Sequence, residues 1–246
     1  MTTPADPQDF EGVTFTGTSF KGATLRFSDV SGVTMRGVDV DGLDIDSHDL
    51  FTGSLVVNGV DVVPLVDAEL NRRFPGRELQ NAQTPDGLRD AWVAVQAAWA
   101  DTVASTPPEL VDAHVEDEWS LAQTLRHLVL ATDTWLRGAI LRVEQPFHEV
   151  GLLFTGAEEM GVDTSAFRTD PPDYDEVLAV RAERQQLVTD FLATVTPEVL
   201  AEERDDPWGF DWHPSVGDCV RVVLEEEWAH LRYVRRDLER LAERSG

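Results

Sequence analysis

Two side chains that could bind a metal ion share one face of a predicted helix near the end of the chain. The stretch from about Val216 to Glu243 contains no proline and only one glycine, at its start, which predicts a long helix. Glu226 and His230 are four residues apart within it, and side chains at this spacing project together and can bind one ion. Glu227 lies further round the helix and is an alternative ligand. Because charged helix faces often carry such pairs, a metal site needs a third donor from another element.

His127, in another predicted helix, is the candidate for that third donor. Ser120 is a typical N-cap for this helix, and apolar residues follow it at helical spacing up to Ile140. Small side chains share the face of His127 and leave room for an ion or a ligand; they are Thr124, Ala131, Thr134 and Gly138. A lone histidine near an apolar face is also a common hydrogen-bonded core residue, and the residues alone leave that alternative open.

Three further residues are candidates for the surroundings of this site. Asp237 lies on the face of Glu226 and could orient a ligand or pair with an arginine. His213 follows a run of aromatic residues and either covers the mouth of a pocket or faces solvent. Cys219 precedes Glu226 by seven residues, about 10 Å along a helix, which is too far for both to bind one ion. We therefore expect Cys219 to be a small buried side chain.

These residues must be positioned by a set of helices in the C-terminal two thirds of the chain. Start signals at Thr84, Ser120 and Asp173 and a break at Pro107 separate four helical stretches. They cover about residues 84–106, 120–140, 173–195 and 216–243. Two long connections, about 142–172 and 196–214, join them. Long connections of this kind typically shape a site at one end of a helical bundle.

The first quarter of the chain follows a different period. Every fifth residue from Phe10 to Val60 is apolar, which fits neither the 3.6-residue period of a helix nor the two-residue period of a strand. Glycines recur in the intervening turns; they are Gly12, Gly17, Gly22, Gly32, Gly37, Gly42 and Gly53. This register resembles the pentapeptide-repeat family, which implies a short right-handed quadrilateral β-solenoid over residues 8–62. Residues 63–83, with two prolines and no sustained period, are predicted to be a connector with one helical turn near 67–73.

The helical stretches resemble a second family. Residues 119–136 and 219–238 are similar to the corresponding helices of DinB/YfiT-like four-helix bundles. The predicted fold class is therefore multidomain, β followed by all-α, with the bundle at 84–246. The resemblance implies that His127, position 226 and His230 hold a divalent metal, since family members commonly use one histidine from the second helix and an H-x-x-x-H pair from the fourth. Glu226 departs from that pattern but keeps a ligand, and a two-histidine, one-carboxylate set suits zinc, nickel, iron or manganese.

The resemblance also implies a class of reaction. Metal-bearing relatives often act as thiol S-transferases or isomerases that use mycothiol, bacillithiol or glutathione, so a low-molecular-weight thiol is the expected cosubstrate and a small molecule the expected substrate. No catalytic residue is assigned beyond the ligands. Because the family also has metal-free members, the alternative is a non-catalytic binding or assembly module. Relatives often dimerise through helix faces, and a homodimer is expected here.

Composition excludes several other functions. The formal net charge is −26, with 46 acidic and 20 basic residues, which opposes binding to nucleic acid or anionic lipid. The apolar runs fall short of the roughly 20 residues that span a bilayer, so no membrane association is expected. The single cysteine fits a reducing compartment, and the N-terminal sequence lacks the features of a signal peptide. The sequence thus predicts a cytoplasmic protein.

Overall fold

The protein, here a computed structural model, consists of two compact units. The structure describes residues 9–26, 28–47, 50–154, 157 and 163–245. The first unit is Met1–Asp46 and the second is Ser47–Gly246. The division therefore falls within the stretch 8–62 that the sequence assigns to the repeats. A few residues of that stretch, and residues 155–156 and 158–162 of the first long connection, lie outside the described part of the chain.

The first unit is built from turns that repeat along the chain. Four of these turns are closed by a backbone hydrogen bond of 2.9–3.2 Å, and they recur every ten residues, starting at Phe10, Phe20, Val30 and Val40. Each has a glycine at its third position with φ between +72° and +76°, which L-residues with a Cβ rarely adopt. These glycines are Gly12, Gly22, Gly32 and Gly42. The turns thus follow the predicted register, with two repeats for each hydrogen-bonded turn.

The apolar residues of the repeats are not enclosed within this unit. Those at every fifth position from Phe10 to Ile45 that the structure describes are 48–67% exposed. The rings of Phe10, Phe15 and Phe20 contact each other edge to face, with centroids 5.6 and 5.4 Å apart. The two strands among the described residues, β1 (Val56–Val57) and β2 (Val60–Asp61), form a hairpin in the second unit. A β-solenoid is therefore not confirmed and stays a prediction.

The stretch predicted to be a connector is more helical than expected. An eleven-residue helix, α1, covers Val63–Arg73, and a 3₁₀ turn covers Arg77–Asn81. The sequence predicted a connector with a single turn near 67–73, because the segment has two prolines and no sustained period. Pro64 instead lies in the first turn of α1, where its missing N–H leaves no helical hydrogen bond unmade. The prediction of one turn was therefore wrong.

The four long helices that follow agree with the predicted stretches. They are α2 (Pro85–Ser105), α3 (Leu121–Thr132), α4 (Tyr174–Thr194) and α6 (Val216–Ser245). The short α5 (Pro197–Leu200) lies in the connection predicted over about 196–214 and was not predicted. Thr84 caps α2 by accepting a hydrogen bond from the Gly87 amide at 3.2 Å. Ser120 caps α3 through a capping box with Gln123, in which each side chain accepts from the other residue's backbone amide. These local signals are the reason that the helix starts could be predicted.

The long helices form a four-helix bundle. Helices α2 and α3 each pack against both α4 and α6, so α4 and α6 lie at opposite corners. The core between them is mainly apolar, with Leu88, Trp99, Leu128, Leu192 and Leu231 each at most 2% exposed. No helix among the described residues is both long and apolar enough to cross a bilayer. The bundle therefore confirms the all-α part of the predicted fold.

Helix α3 continues as a π-helical segment, Asp133–Ile140, around a buried carboxylate. Asp133 is fully buried and is held by Arg184 of α4, whose Nε donates to it at 2.6 Å. It also accepts hydrogen bonds from Arg137 at 3.3 Å and from the His148 amide at 2.8 Å. One buried carboxylate thus joins α3, α4 and the first long connection.

Candidate metal centre

Helices α3 and α6 bring three potential metal ligands together. One donor atom each of His127, Glu226 and His230 lie within 4.8 Å of one another. The Oε2 atom of Glu226 is 3.4 Å from Nε2 of His127 and 3.1 Å from Nε2 of His230. All three residues were predicted as ligands from the sequence. Their side chains are 10%, 33% and 15% exposed, respectively, so the cluster is sheltered and retains access to solvent through Glu226.

The orientation of His127 is fixed by the first long connection. Its Nδ1 lies 3.1 Å from the backbone carbonyl oxygen of Leu152. A carbonyl oxygen only accepts hydrogen bonds, so Nδ1 must carry the proton. In the neutral imidazole the lone pair is then on Nε2, which faces Glu226 and His230. A histidine that donates its second ring N–H to a carbonyl is the usual arrangement of a metal ligand.

The charges of the cluster favour the forms that bind metals. Burial raises the pKa of the Glu226 carboxyl, but His127 and His230, when their Nε2 atoms are protonated, donate hydrogen bonds that outweigh burial and hold this pKa well below its ordinary value. Burial lowers the pKa of the His230 imidazole. An ionised carboxylate and a neutral imidazole are the forms that coordinate divalent ions. Two imidazoles and one carboxylate therefore fit a zinc, nickel, iron or manganese ion.

Aromatic rings surround the two histidines. The Trp119 ring stacks on His230 with an interplanar angle of 17° and a centroid distance of 5.9 Å. It also contacts the His127 ring at 4.8 Å. The Tyr233 ring lies edge to face against His230 at 5.5 Å. These contacts restrict the motion of both imidazoles and give the cluster an apolar border.

Comparison with known protein families shows to which family this chain belongs. The model of the DinB superfamily matches residues 91–234, more than half of the chain and the part that supplies all three donors. The chain belongs to the DinB superfamily. A second model, for pentapeptide repeats in eight copies, matches residues 8–42 ahead of the DinB domain. Both predicted resemblances are thereby confirmed. No curated protein and no solved structure matches the chain.

The other predicted residues of the DinB domain lie outside the three-donor cluster. Glu227 is 1% exposed and both its carboxylate oxygens contact the guanidinium of Arg181, so it faces away from His127. Asp237 is buried and accepts hydrogen bonds from Arg236 at 2.8 and 3.0 Å, which is the arginine pairing that the sequence left open. His213 is 62% exposed and lies 3.8 Å from both Asp205 and Asp211. It therefore faces solvent among acidic groups.

Several residues around the cluster carried little signal in the sequence. Trp119 lies in a loop directly before the Ser120 cap, and Leu152 acts through its backbone. Arg181 resembles any other arginine of a charged helix until α4 packs into the bundle. The position of Trp119 next to a strong helix cap was the one usable hint, since residues before a cap often pack back on the helix.

Cys219 is predicted to be unreactive in the folded DinB domain. Its side chain is fully buried, and burial raises the pKa of the thiol to about 11. Because the thiolate is the reactive form, a thiol-specific disulfide reagent at neutral pH should label the native protein hardly at all. In guanidinium chloride the same reagent should label one thiol per chain. Labelling of the native protein as fast as of the unfolded chain would contradict this, and Cys219→Ser gives the blank.

Proposed function

We propose that the DinB domain binds a divalent metal ion through His127, Glu226 and His230 and acts as a metal-dependent enzyme. The observation that carries the proposal is the convergence of these donors within 4.8 Å from two different helices. Three protein ligands leave positions open for water or substrate, as catalytic sites do and closed structural sites do not. The hydrogen bond from His127 to the Leu152 carbonyl supports a ligand role, because it leaves Nε2 available.

The proposed reaction is the transfer of a low-molecular-weight thiol of the mycothiol type to a small electrophile, or an isomerisation that depends on such a thiol. A bound divalent ion would lower the pKa of a thiol and so supply thiolate near neutral pH. In transfer, the sulfur forms a bond to carbon while the leaving group departs with its electron pair, and the thiol proton is released. In isomerisation the thiol adds and is later eliminated unchanged.

The chain itself cannot supply that thiol. Cys219 is its single cysteine, and the side chain is buried with a raised pKa. The nucleophile of the proposed reaction must therefore enter as a second substrate. The role of the chain is to hold the imidazoles in place through Leu152 and Trp119 and to border the site with apolar rings that exclude water.

The charge of the protein bears on its partners and location. A formal charge of −26 opposes association with nucleic acid, which supports a small-molecule substrate. We propose that the protein acts in the cytoplasm, where a reducing environment keeps small thiols available. We further propose a homodimer, as expected from the family resemblance.

A second function is favoured by the repeats. Their apolar residues at every fifth position from Phe10 to Ile45 are about half exposed, which is typical of a surface that another molecule covers. If residues 8–62 form the expected solenoid, an apolar end or face would be available for docking. In this alternative the protein is a non-catalytic binding or assembly module whose bundle holds no metal.

The metal content of the purified, untagged protein distinguishes the two functions. We expect about one divalent ion per chain by elemental analysis, and loss of that ion in the double variant His127→Ala/His230→Ala. Circular dichroism of the variant should retain the helical signal, so that loss of metal is not loss of fold. Metal retained in the wild type alone would justify assays of thiol transfer. Negligible metal in both proteins, even after incubation with zinc or nickel, would exclude the enzyme and favour the assembly module.

A further inference from the structure

A buried ion pair crosses the centre of the bundle directly beside the proposed metal ligands. Arg181 of α4 and Glu227 of α6 have side chains only 3% and 1% exposed. Nη2 of Arg181 contacts both carboxylate oxygens of Glu227. Since α4 and α6 lie at opposite corners of the bundle, the two side chains meet near its axis.

This pair is poorly suited to stabilising the fold. Both charges have lost their hydration, and Nε and Nη1 of Arg181 have no hydrogen-bond partner among the described residues. Burying charges is costly unless their hydrogen bonds are complete, and apolar replacements of such pairs often leave stability unchanged or raise it. The pair therefore needs a reason other than stability.

The effect of the Arg181–Glu227 pair on the rotation of α6 supplies such a reason. At about 100° per residue, Glu226 lies about 100° to one side of Glu227, and His230 lies about 60° to the same side. Arg235 lies about 80° to the other side, where it donates to Thr102 and the Ala98 carbonyl of α2 at 3.0 and 3.1 Å. With Glu227 directed at the bundle axis, Glu226 and His230 necessarily face α3.

The ligand atoms on α6 must be positioned accurately to bind a metal ion. Side chains extend about 5–6 Å from a helix axis, so a rotation of about 20° would move a ligand atom by about 2 Å. Metal coordination tolerates about 0.2 Å and about 10–20°. Apolar contacts between helices are compatible with rotations of this size, whereas the contact of both Glu227 oxygens with Nη2 of Arg181 fixes the direction in which the Glu227 side chain points.

We propose that the Arg181–Glu227 pair is a positioning device that sets the rotation of α6 and thereby holds Glu226 and His230 against His127. The inference rests on the proposed function, because the site that it positions is the proposed metal centre. Glu227 thus serves that site as a positioning residue without being one of its ligands. The Nε1–H of Trp99, which donates to the Glu227 carbonyl at 3.2 Å, holds the same residue from α2.

The test replaces both charges at once, with Arg181→Met/Glu227→Met in the full chain. Removing one charge would strand the other in the core and lower Tm by about 10 °C, which would obscure an effect on positioning. We expect the double variant to keep its urea midpoint while its affinity for Zn²⁺, measured by calorimetry, falls at least about 10-fold, as losses of supporting groups around a metal do. Leu231→Met, a change in the core of the same helix, should alter neither value.

A second measurement tests the positioning role of the Arg181–Glu227 pair in metal-free protein. In ¹⁵N-labelled, metal-free protein, the imidazole resonances of His127 and His230 report their approach to Glu226. We expect them to move toward the values of free imidazole in the double variant and to stay in place in Leu231→Met. Unchanged resonances and unchanged Zn²⁺ affinity would overturn the inference, as would an affinity loss that Leu231→Met matches. If the wild type binds no metal, the proposed function fails, and the resonances still decide the positioning role.

Discussion

Replacing Glu226 with alanine is expected to weaken Zn²⁺ binding to the DinB domain by at least about 100-fold. Structural zinc sites with four ligands gain about 10–16 kcal/mol, so one ligand contributes on the order of 3 kcal/mol, which is about two orders of magnitude in Kd. Glu226 also contributes the one negative charge among the three donors. Competition with a chromophoric chelator would measure the change.

Two further variants serve as controls for this experiment. Glu225→Ala removes a neighbouring exposed carboxylate of the same helix and should change Kd less than about 3-fold, since exposed charges act weakly in salt. Glu226→His restores the donor pattern common in the family. It should recover Zn²⁺ and Ni²⁺ binding but not Mn²⁺ binding, because imidazole suits the first two ions and carboxylate the third. An unchanged Kd in Glu226→Ala would show that the metal binds elsewhere.

The helices could be predicted because their signals are local. Thr84, Ser120 and Asp173 precede α2, α3 and α4 as the sequence pattern predicts. Thr84 and Ser120 cap their helices, whereas the Asp173 side chain makes no cap hydrogen bond. A cap acts on amides two or three residues away, and an apolar stripe needs only its own helix. Two helices were missed. The short α5 lies within the connection predicted over about 196–214, and α1 was predicted as a single turn in a segment with two prolines, where a proline such as Pro64 has two opposite meanings. It ends a helix that is already running, and it favours a helix that is about to start.

The repeats show which features of the fold local sequence signals cannot predict. The five-residue register specified the turns at Gly12, Gly22, Gly32 and Gly42, because a turn with positive φ requires little beyond the glycine itself. Whether successive repeats pair as strands depends on contacts between residues far apart in the chain, which a period does not determine. The resemblance to the pentapeptide family is confirmed by the match at 8–42, and the coil that it implies stays a prediction.

The candidate metal centre was predictable only in part for the same reason. Glu226 and His230 form a local pair on one helix, whereas His127 required the family resemblance to join them. The groups that orient the three ligands come through tertiary packing. Leu152 contributes a backbone carbonyl from the long connection, and Arg181 reaches across the bundle. Neither residue type nor spacing distinguishes these positions from others in the chain.

The largest loss of stability is expected for Asp133→Ala, about 3–5 kcal/mol in the free energy of unfolding. Asp133 is fully buried, and its carboxylate is the buried partner of Arg184, whose side chain is 9% exposed. Without it, Arg184 would keep its charge in a place with little water, and the His148 amide would lose its acceptor. Urea unfolding followed by circular dichroism would measure the loss.

Glu183→Ala is the matched control, because the Glu183 carboxylate is a second carboxylate that contacts the Arg184 guanidinium. Glu183 lies 3.5 Å from Nη1 of Arg184 and its side chain is 70% exposed, so Glu183→Ala should cost less than about 1 kcal/mol. The two variants remove the same chemical group from the same arginine and differ in burial. Equal, small losses would mean that water reaches Arg184 once Asp133 is gone. A large loss for Asp133→Ala alone would show that this buried carboxylate contributes strongly to joining the π-helical end of α3 to α4 and to the His148 connection.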